Sequence, residues 1–112
     1  MGKLLNMGIA ASSITASPSY KYQVVNYVNG TVLVYKNGAI IATLTADTGL
    51  TSVTVVNGDT IRMTWSGTIA LNIVYTLNSV TQATYTGATS IDTGTKTIAS
   101  NGAYQFVFNG SA

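Results

Sequence analysis

Alternation of apolar and polar residues is the dominant pattern in the centre of the chain, between Thr51 and Leu77. In the segment Thr60–Ser66 every second residue is apolar, and after Gly67 the alternation resumes. A period of two is typical of β-strands, because successive side chains of a strand point to opposite faces. A helix would need apolar residues three and four positions apart. The pattern predicts two strands with one apolar face each, formed by Ile61, Met63 and Trp65 and by Ile69, Leu71, Ile73, Tyr75 and Leu77.

The spacing of these strands predicts how they pair. A three-residue turn after Trp65 sets it opposite Ile69, whereas a two-residue turn would set it opposite Thr68, so register favours the longer turn. A second three-residue turn at residues 57–59 brings a further apolar strand alongside. We expect the three strands to share one face, which forms the core. The expected neighbours are Trp65 with Ile69, Met63 with Leu71, Ile61 with Ile73, Val55 with Ile61, and Val53 with Met63.

The dipeptide Asn-Gly recurs through the chain and marks the expected turns. Both central residues of a type I′ hairpin turn need positive φ, which Asn and Gly tolerate well. The dipeptide occurs at residues 29–30, 37–38, 57–58, 101–102 and 109–110, and the first four lie between strand-like segments. We expect strands at residues 20–28, 31–36, 39–45, 51–56, 60–66, 69–77, 80–86, 95–100 and 103–108.

Eight or nine short strands suit two packed sheets better than a single sheet. The predicted fold class is therefore all-β, a single antiparallel β-sandwich of immunoglobulin-like or jelly-roll-like type. The chain of 112 residues has the length of one domain, and we assign residues 20–112 to the sandwich. Residues 1–19 are expected to be an N-terminal arm or edge strand. This arm either joins the sheet of its own domain or contacts a neighbouring subunit, through its apolar residues Leu4, Leu5, Met7 and Ile9.

Composition excludes several functions. Charged residues make up 7% of the chain, and the five basic residues are scattered, whereas nucleic-acid binding needs a cluster. Neither Cys nor His is present, which removes disulfides, the usual zinc sites and catalysis by thiols or imidazoles. No apolar run reaches the length of a membrane span, and the N-terminus lacks the continuous apolar run of a secretory signal. We expect no metal, no other cofactor, no nucleic-acid partner and no membrane partner.

The hairpin around Asn37-Gly38 is unusual because both of its faces are apolar. A two-residue loop places Val32, Val34, Ile41 and Thr43 on one face, and Leu33, Tyr35, Ile40, Ala42 and Leu44 on the other. A sandwich strand normally exposes one polar face to water, so the second apolar face is either covered or a contact surface. Edge strands are usually protected by Lys or Pro, and this chain has few of either. We predict a protein interface at Leu33, Tyr35, Ile40 and Leu44, together with Leu4, Leu5, Met7 and Ile9 of the arm.

The triplet Asp-Thr-Gly occurs at residues 47–49 and 92–94 and resembles the catalytic loop of aspartic proteases. In that family two such loops meet, and their carboxylates share a proton. The resemblance covers only the triplets, because the glycine-rich flap and the apolar residues before the family's loop are missing. We expect turns in which Asp accepts backbone hydrogen bonds and Gly supplies positive φ, and no enzyme activity. The similar sequences that follow the triplets suggest two similar corners, one in each sheet.

The aromatic residues indicate a second candidate function. Seven Tyr, one Trp and two Phe could form a platform that stacks on sugars, and Tyr20, Tyr22 and Tyr27 cluster in one predicted strand. These three do not share a face, because Tyr20 and Tyr22 alternate with Tyr27. Trp65 falls on the expected core face, and the period-two stripe Tyr104, Phe106 and Phe108 is typical of packing. A carbohydrate-binding or adhesive β-sandwich, located outside the cell, is therefore the alternative to an assembly function.

The turns Val34-Tyr35-Lys36-Asn37-Gly38 and Asn57-Gly58-Asp59-Thr60 resemble those of immunoglobulin-like modules on bacteriophage particles. That resemblance implies a virion structural protein, made in the host cytoplasm without a signal peptide, that decorates a capsid or builds a tail or fibre. Its partners would be copies of itself and other assembly proteins. The two-faced hairpin, the unprotected edges and the scarcity of charge favour the same function.

Overall fold

A computed structural model describes residues 17–68, 71–99 and 101–110. These residues form ten β-strands and no helix. Thr, Val, Ile and Tyr fill most strand positions, since their branched or aromatic side chains pack well on a pleated surface. The strands are β1 Ser19–Val25, β2 Thr31–Lys36, β3 Ala39–Leu44, β4 Thr51–Val53, β5 Thr60–Ser66, β6 Leu71–Leu77, β7 Val80–Gly87, β8 Ser90–Asp92, β9 Lys96–Thr97 and β10 Ala103–Asn109.

The strands form two sheets packed against each other, as the predicted sandwich requires. The first sheet has the order β4-β1-β10-β6-β7, and the second has the order β3-β2-β5-β8, with β9 also paired to β5. The strand count exceeds the predicted eight or nine. Sequence analysis missed β8, and the strand expected at residues 95–100 is reduced to the two residues of β9.

One pair of strands contradicts the prediction of an antiparallel sandwich. β1 runs parallel to β10 over its whole length, with Tyr20 beside Tyr104 and Val24 beside Phe108. These are the first and last strands of the described fold. Almost the whole domain connects them, so no short turn imposes an antiparallel direction on the pair.

The predicted pairing of the central strands is wrong. β5 pairs with β2 in the second sheet, where Met63 lies beside Val34, whereas β6 pairs with β10 in the first sheet. β4 likewise joins the first sheet, where Val53 lies beside Tyr20 rather than Met63. The apolar residues of these strands therefore face one another across the sandwich instead of sharing one face. Alternation alone cannot separate the two arrangements, because both bury every second side chain.

Only one of the four Asn-Gly dipeptides between strands closes a hairpin. Asn37 and Gly38 have φ values of 52° and 80° and connect β2 to β3. At the other three positions the flanking strands belong to different sheets. The hairpin between β6 and β7 uses Asn78 and Ser79 instead, with φ values of 53° and 66°.

The core is built from both sheets around a group of aromatic rings. Trp65, on β5, lies 5.8 Å from Phe108, on β10, between ring centres. Phe106 meets Tyr20 edge to face at 5.7 Å, and Tyr75 at 5.3 Å. The expected core position of Trp65 and the packing role of the stripe on β10 are confirmed, since these side chains are buried. Each contributes about 1.5–3 kcal/mol by leaving water.

Candidate interaction surface

The outer side of the β2–β3 hairpin carries exposed apolar side chains. Val32 and Val34 are fully buried, so Leu33 and Tyr35, which alternate with them on β2, point away from the core. Ile40 pairs with Tyr35 and is 53% exposed, and Ile41 is 43% exposed. We refer to these four residues, Leu33, Tyr35, Ile40 and Ile41, as the hairpin surface.

A β-bulge changes part of the predicted interface. The register shifts by one residue, so that Tyr35 pairs with Ile40 but Val34 pairs with Ala42. The extra residue is Ile41, and beyond it the two faces of β3 are exchanged. The predicted faces are therefore wrong there: Ile41, predicted to face the core, is 43% exposed, and Ala42, predicted on the outer face, packs against the core. Leu44 consequently pairs with Val32 and packs against the core, and does not join the outer face where it was predicted.

The remaining predicted residues divide into two groups. Leu33, Tyr35 and Ile40 lie together on the outer face of the hairpin, as the alternation indicated. The four residues predicted in the arm, Leu4, Leu5, Met7 and Ile9, lie outside the described residues.

A charged side chain that sequence analysis did not select borders the hairpin surface. Arg62 lies opposite Tyr35 in the β2–β5 pair, and its guanidinium carbon is 4.8 Å from the centre of the Tyr35 ring. The same guanidinium donates two hydrogen bonds to the Asp92 carboxylate, at 2.9 and 2.5 Å. Arg62 alternates with Ile61 and Met63, so its outward direction was predictable. Its partner on β8 was not, because that strand was not predicted.

The Arg62–Asp92 pair remains ionised at neutral pH. Hydrogen bonding to Arg62 lowers the pKa of the Asp92 carboxyl, and the hydrogen bond to Asp92 raises the pKa of Arg62. The paired charges add no net charge next to the hairpin surface. Tyrosine and arginine are enriched in protein interfaces because each combines a flat apolar area with directed hydrogen bonding.

The hairpin surface lies at an open edge of the second sheet. β3 is the terminal strand of its sheet, and no other strand within the described part of the chain covers its outer side. Its sequence Ala-Ile-Ile-Ala-Thr-Leu contains no charge and no proline. Unpaired N–H and C=O groups on such an edge can bind another strand.

The two Asp-Thr-Gly triplets form matching corners, one in each sheet, as predicted. Thr93 donates its N–H to the Met63 carbonyl (3.1 Å), and its hydroxyl accepts the Met63 N–H (3.0 Å). Thr48 makes the same two contacts with Val24 of β1, at 2.9 and 3.0 Å. Each threonine therefore adds two hydrogen bonds to its own sheet beyond the end of the neighbouring short strand.

The aspartates of these corners have different partners. Asp92 binds Arg62 and also accepts the N–H of Gly94 at 2.8 Å, which fits the predicted turn, and Gly94 has the predicted positive φ of 71°. Asp47 instead accepts the N–H of Tyr27, in the loop after β1, at 2.6 Å, and Gly49 does not have a positive φ, so the predicted turn is wrong at this corner. Unlike the paired carboxylates of an aspartic protease, each carboxylate is thus held by its own sheet.

Most tyrosines belong to the core or its margin. Tyr20, Tyr22 and Tyr104 are buried, and Tyr27, Tyr75 and Tyr85 pack against the core. Tyr35 is the tyrosine that lies on an outer face. Tyr20, Tyr22 and Tyr27, which the alternation placed on different faces, therefore form no exposed platform.

Within the described segments, no group of three or more aspartate, glutamate, histidine or cysteine side chains is placed to hold a metal ion. The same segments include no helix of the length and apolarity needed to cross a membrane.

Comparison of the chain with protein-family models, curated proteins and solved structures finds no match.

Proposed function

We propose that this protein is a structural assembly subunit that acts through protein–protein contacts of the hairpin surface. Its proposed place is the virion of a bacteriophage, as a capsid-decoration, tail or fibre protein made in the host cytoplasm. The proposed fold is an immunoglobulin-like or jelly-roll-like sandwich. The observation that supports the assembly function is the exposed pair Ile40 and Ile41 on an uncharged edge strand.

Burial of this surface would be favourable for two reasons. The exposed parts of the two isoleucines contribute about 2 kcal/mol when water is removed from them. The Arg62 guanidinium already lies over the Tyr35 ring, and it also donates a hydrogen bond to the Asp92 carboxylate. Little side-chain entropy is then lost when a partner docks.

The proposed partners are copies of the same chain and other assembly proteins. The hairpin surface is apolar and its neighbouring ion pair is neutral, so two copies can approach without repulsion between like charges. The proposed contribution of the arm, through Leu4, Leu5, Met7 and Ile9, adds a second contact that reaches beyond the sandwich.

Sedimentation equilibrium of the substituted protein tests this function. Ile40→Lys places an ammonium in the centre of the surface. Val28→Lys is the matched control, because Val28 is 52% exposed in the loop before β2, whereas Ile40 pairs with Tyr35 near the other end of that strand. Between about 1 and 100 μM, a range that covers weak specific association, we expect the wild type and Val28→Lys to form oligomers. Ile40→Lys should associate at least tenfold more weakly.

Two results would contradict the proposal. One is a wild-type protein that stays monomeric across the whole concentration range and does not bind bacteriophage particles. The other is equal association of both lysine variants. A third variant, lacking residues 1–11, separates the contact of the arm from that of the hairpin surface. Loss of the arm should weaken assembly but leave the melting temperature of the sandwich unchanged.

A further inference from the structure

A polar groove crosses the outer face of the first sheet, on the side of the molecule away from the hairpin surface. Its volume is about 360 Å³, within the range that holds a small molecule. The side chains of Lys21, Gln105 and Thr76 form a row across β1, β10 and β6, because these residues are neighbours in the register of the sheet. Ser19, Ser79, Ala103 and Tyr104 also line the groove.

The groove exists because a small residue lies between larger ones. Ala103 pairs with Ser19 on one side and lies beside the β6–β7 turn on the other. Its methyl group leaves a depression bounded by the longer side chains of Lys21 and Gln105. A larger residue at this position would fill the depression.

Backbone hydrogen bonds hold both rims of the groove in place. The Asn78 N–H donates to the Ala103 carbonyl, and the Ala103 N–H donates to the Asn78 side-chain oxygen, both at 2.9 Å. Ser19 donates its N–H to the Gly102 carbonyl at 3.0 Å. A site fixed in this way loses little entropy when it binds a ligand.

Ser79 occupies a position that favours glycine. Its φ of 66° lies in the left-handed region, which residues other than Gly, Asn and Asp rarely adopt. Strained residues of this kind are often found at functional sites. The serine hydroxyl lines the groove, whereas a glycine would relax the turn and remove that hydroxyl.

The charge of the groove is positive. The chain has three acidic side chains, all aspartate, and each has partners elsewhere: Asp47 at Tyr27, Asp59 at Asn37 and Lys36, and Asp92 at Arg62. None of them lines the groove with Lys21. An anionic group on a ligand would find an ammonium there without a competing carboxylate in the lining.

From this lining we propose that the groove binds an acidic sugar unit, such as a hexuronic acid. The ligand's carboxylate accepts hydrogen bonds from the Lys21 ammonium, and its hydroxyl groups bind the amide of Gln105 and the hydroxyls of Thr76, Ser79 and Ser19. Tyr104 lines the groove, but it is only 5% exposed and belongs to the core, so its ring does not stack on the sugar. A single unit therefore binds with an affinity on the order of millimolar. This inference does not depend on the assembly function.

Titration of the ¹⁵N-labelled protein with sodium glucuronate, followed by NMR, tests the inference. We expect saturable shifts in residues 19–21, 76–79 and 103–105. Glucose lacks the carboxylate and acetate lacks the hydroxyls, and each should bind about tenfold more weakly. Equal binding of acetate would show a simple anion site, and equal binding of glucose would show a neutral-sugar site, so either result would overturn the proposal.

Three substitutions in the groove and one control outside it test whether the ligand binds there. Lys21→Gln should weaken glucuronate binding about tenfold, whereas Lys36→Gln, on the second sheet, should leave it unchanged. Ala103→Leu should abolish binding by filling the depression. Ser79→Gly should weaken binding about two- to tenfold while the melting temperature stays the same or rises. Shifts that persist in Ala103→Leu, or the absence of saturable shifts at about 50 mM glucuronate, far above a millimolar dissociation constant, would refute the site.

Discussion

Replacement of Thr93 by valine tests whether the Asp-Thr-Gly corners stabilise the sandwich through hydrogen bonds. Thr93 is 3% exposed, and its hydroxyl accepts the Met63 N–H at 3.0 Å and donates to the Gly94 carbonyl at 2.9 Å. Valine has almost the same shape but no hydroxyl. The substitution therefore leaves the buried Met63 N–H without a partner and creates no large cavity.

The expected cost follows from these two contacts. An unsatisfied buried N–H group costs about 1–3 kcal/mol. The Gly94 carbonyl adds little, because Gly94 is exposed and water can replace the lost donor. Thr93→Ser keeps the hydroxyl and loses one methyl group, which costs about 0.8 kcal/mol. Valine should thus destabilise the protein more than serine does, although valine is the more apolar residue.

Urea unfolding followed by tryptophan fluorescence measures the difference. Trp65 is the only tryptophan and is 1% exposed, so its emission reports on the core. Thr93→Val should lower the urea midpoint by roughly 1 M with no change in the slope m. The same change at the matching corner, Thr48→Val, should have a smaller effect, because Thr48 is half-buried and its hydrogen bond with the Val24 N–H is only partly buried, whereas the bond between Thr93 and Met63 is fully buried. A valine variant as stable as the serine variant would refute this reasoning.

Two further predictions follow from the geometry of the turns and the ion pair. Gly30→Ala should destabilise the protein by more than about 2 kcal/mol, because Gly30 has a φ of 87° and a methyl group there would overlap the Ser66 carbonyl. Gly38→Ala is the control: Gly38 has a φ of 80° and open space around it, so the substitution should cost only about 1 kcal/mol. Equal costs in urea unfolding would contradict the close approach of the Ser66 carbonyl to Gly30. Asp92→Asn should flatten the acid dependence of stability: the folded pKa of Asp92 lies below its ordinary value of 3.8, so its ion pair contributes fully above about pH 4 and is lost as the pH falls through the folded pKa. Thermal melts between about pH 5 and 2 test this, and a variant with the wild-type slope would show that the pair contributes nothing.

The alternation of side chains predicted most strand positions and much of the core. Ile61, Met63 and Trp65 are buried on β5, and Phe106 and Phe108 are buried on β10. Such positions can be predicted because a strand buries every second residue whichever strand lies beside it. The outward direction of Leu33, Tyr35 and Ile40 followed from the same rule.

Turn chemistry was a weaker guide than alternation. Asn37-Gly38 closes a hairpin as expected, whereas Asn29-Gly30 lies where the chain passes from one sheet to the other. Gly30 is needed there for a different reason, since its neighbours Trp65 and Ser66 approach too closely for any side chain. A glycine in the sequence can indicate either a tight turn or a close approach of neighbouring residues, and the sequence does not distinguish the two.

The candidate sites depended on contacts between distant parts of the chain. Arg62 and Asp92 are 30 residues apart and meet only because β8 pairs with β5. Lys21 and Gln105 line one groove because β1 and β10 are parallel neighbours. No local pattern indicates these pairs, because each depends on which strands become adjacent when the sandwich closes.

The sequence by itself determined the all-β class, the positions of most strands and which side chains enter the core on strands without a bulge. These properties follow from the period of two and from residue preference, which act within a few residues. The tertiary structure decided which sheet each strand joins, the parallel pairing of β1 with β10, and the bulge that turns Leu44 toward the core. Those outcomes depend on burying the apolar faces of all ten strands at once, so they are fixed by long-range packing rather than by any one segment.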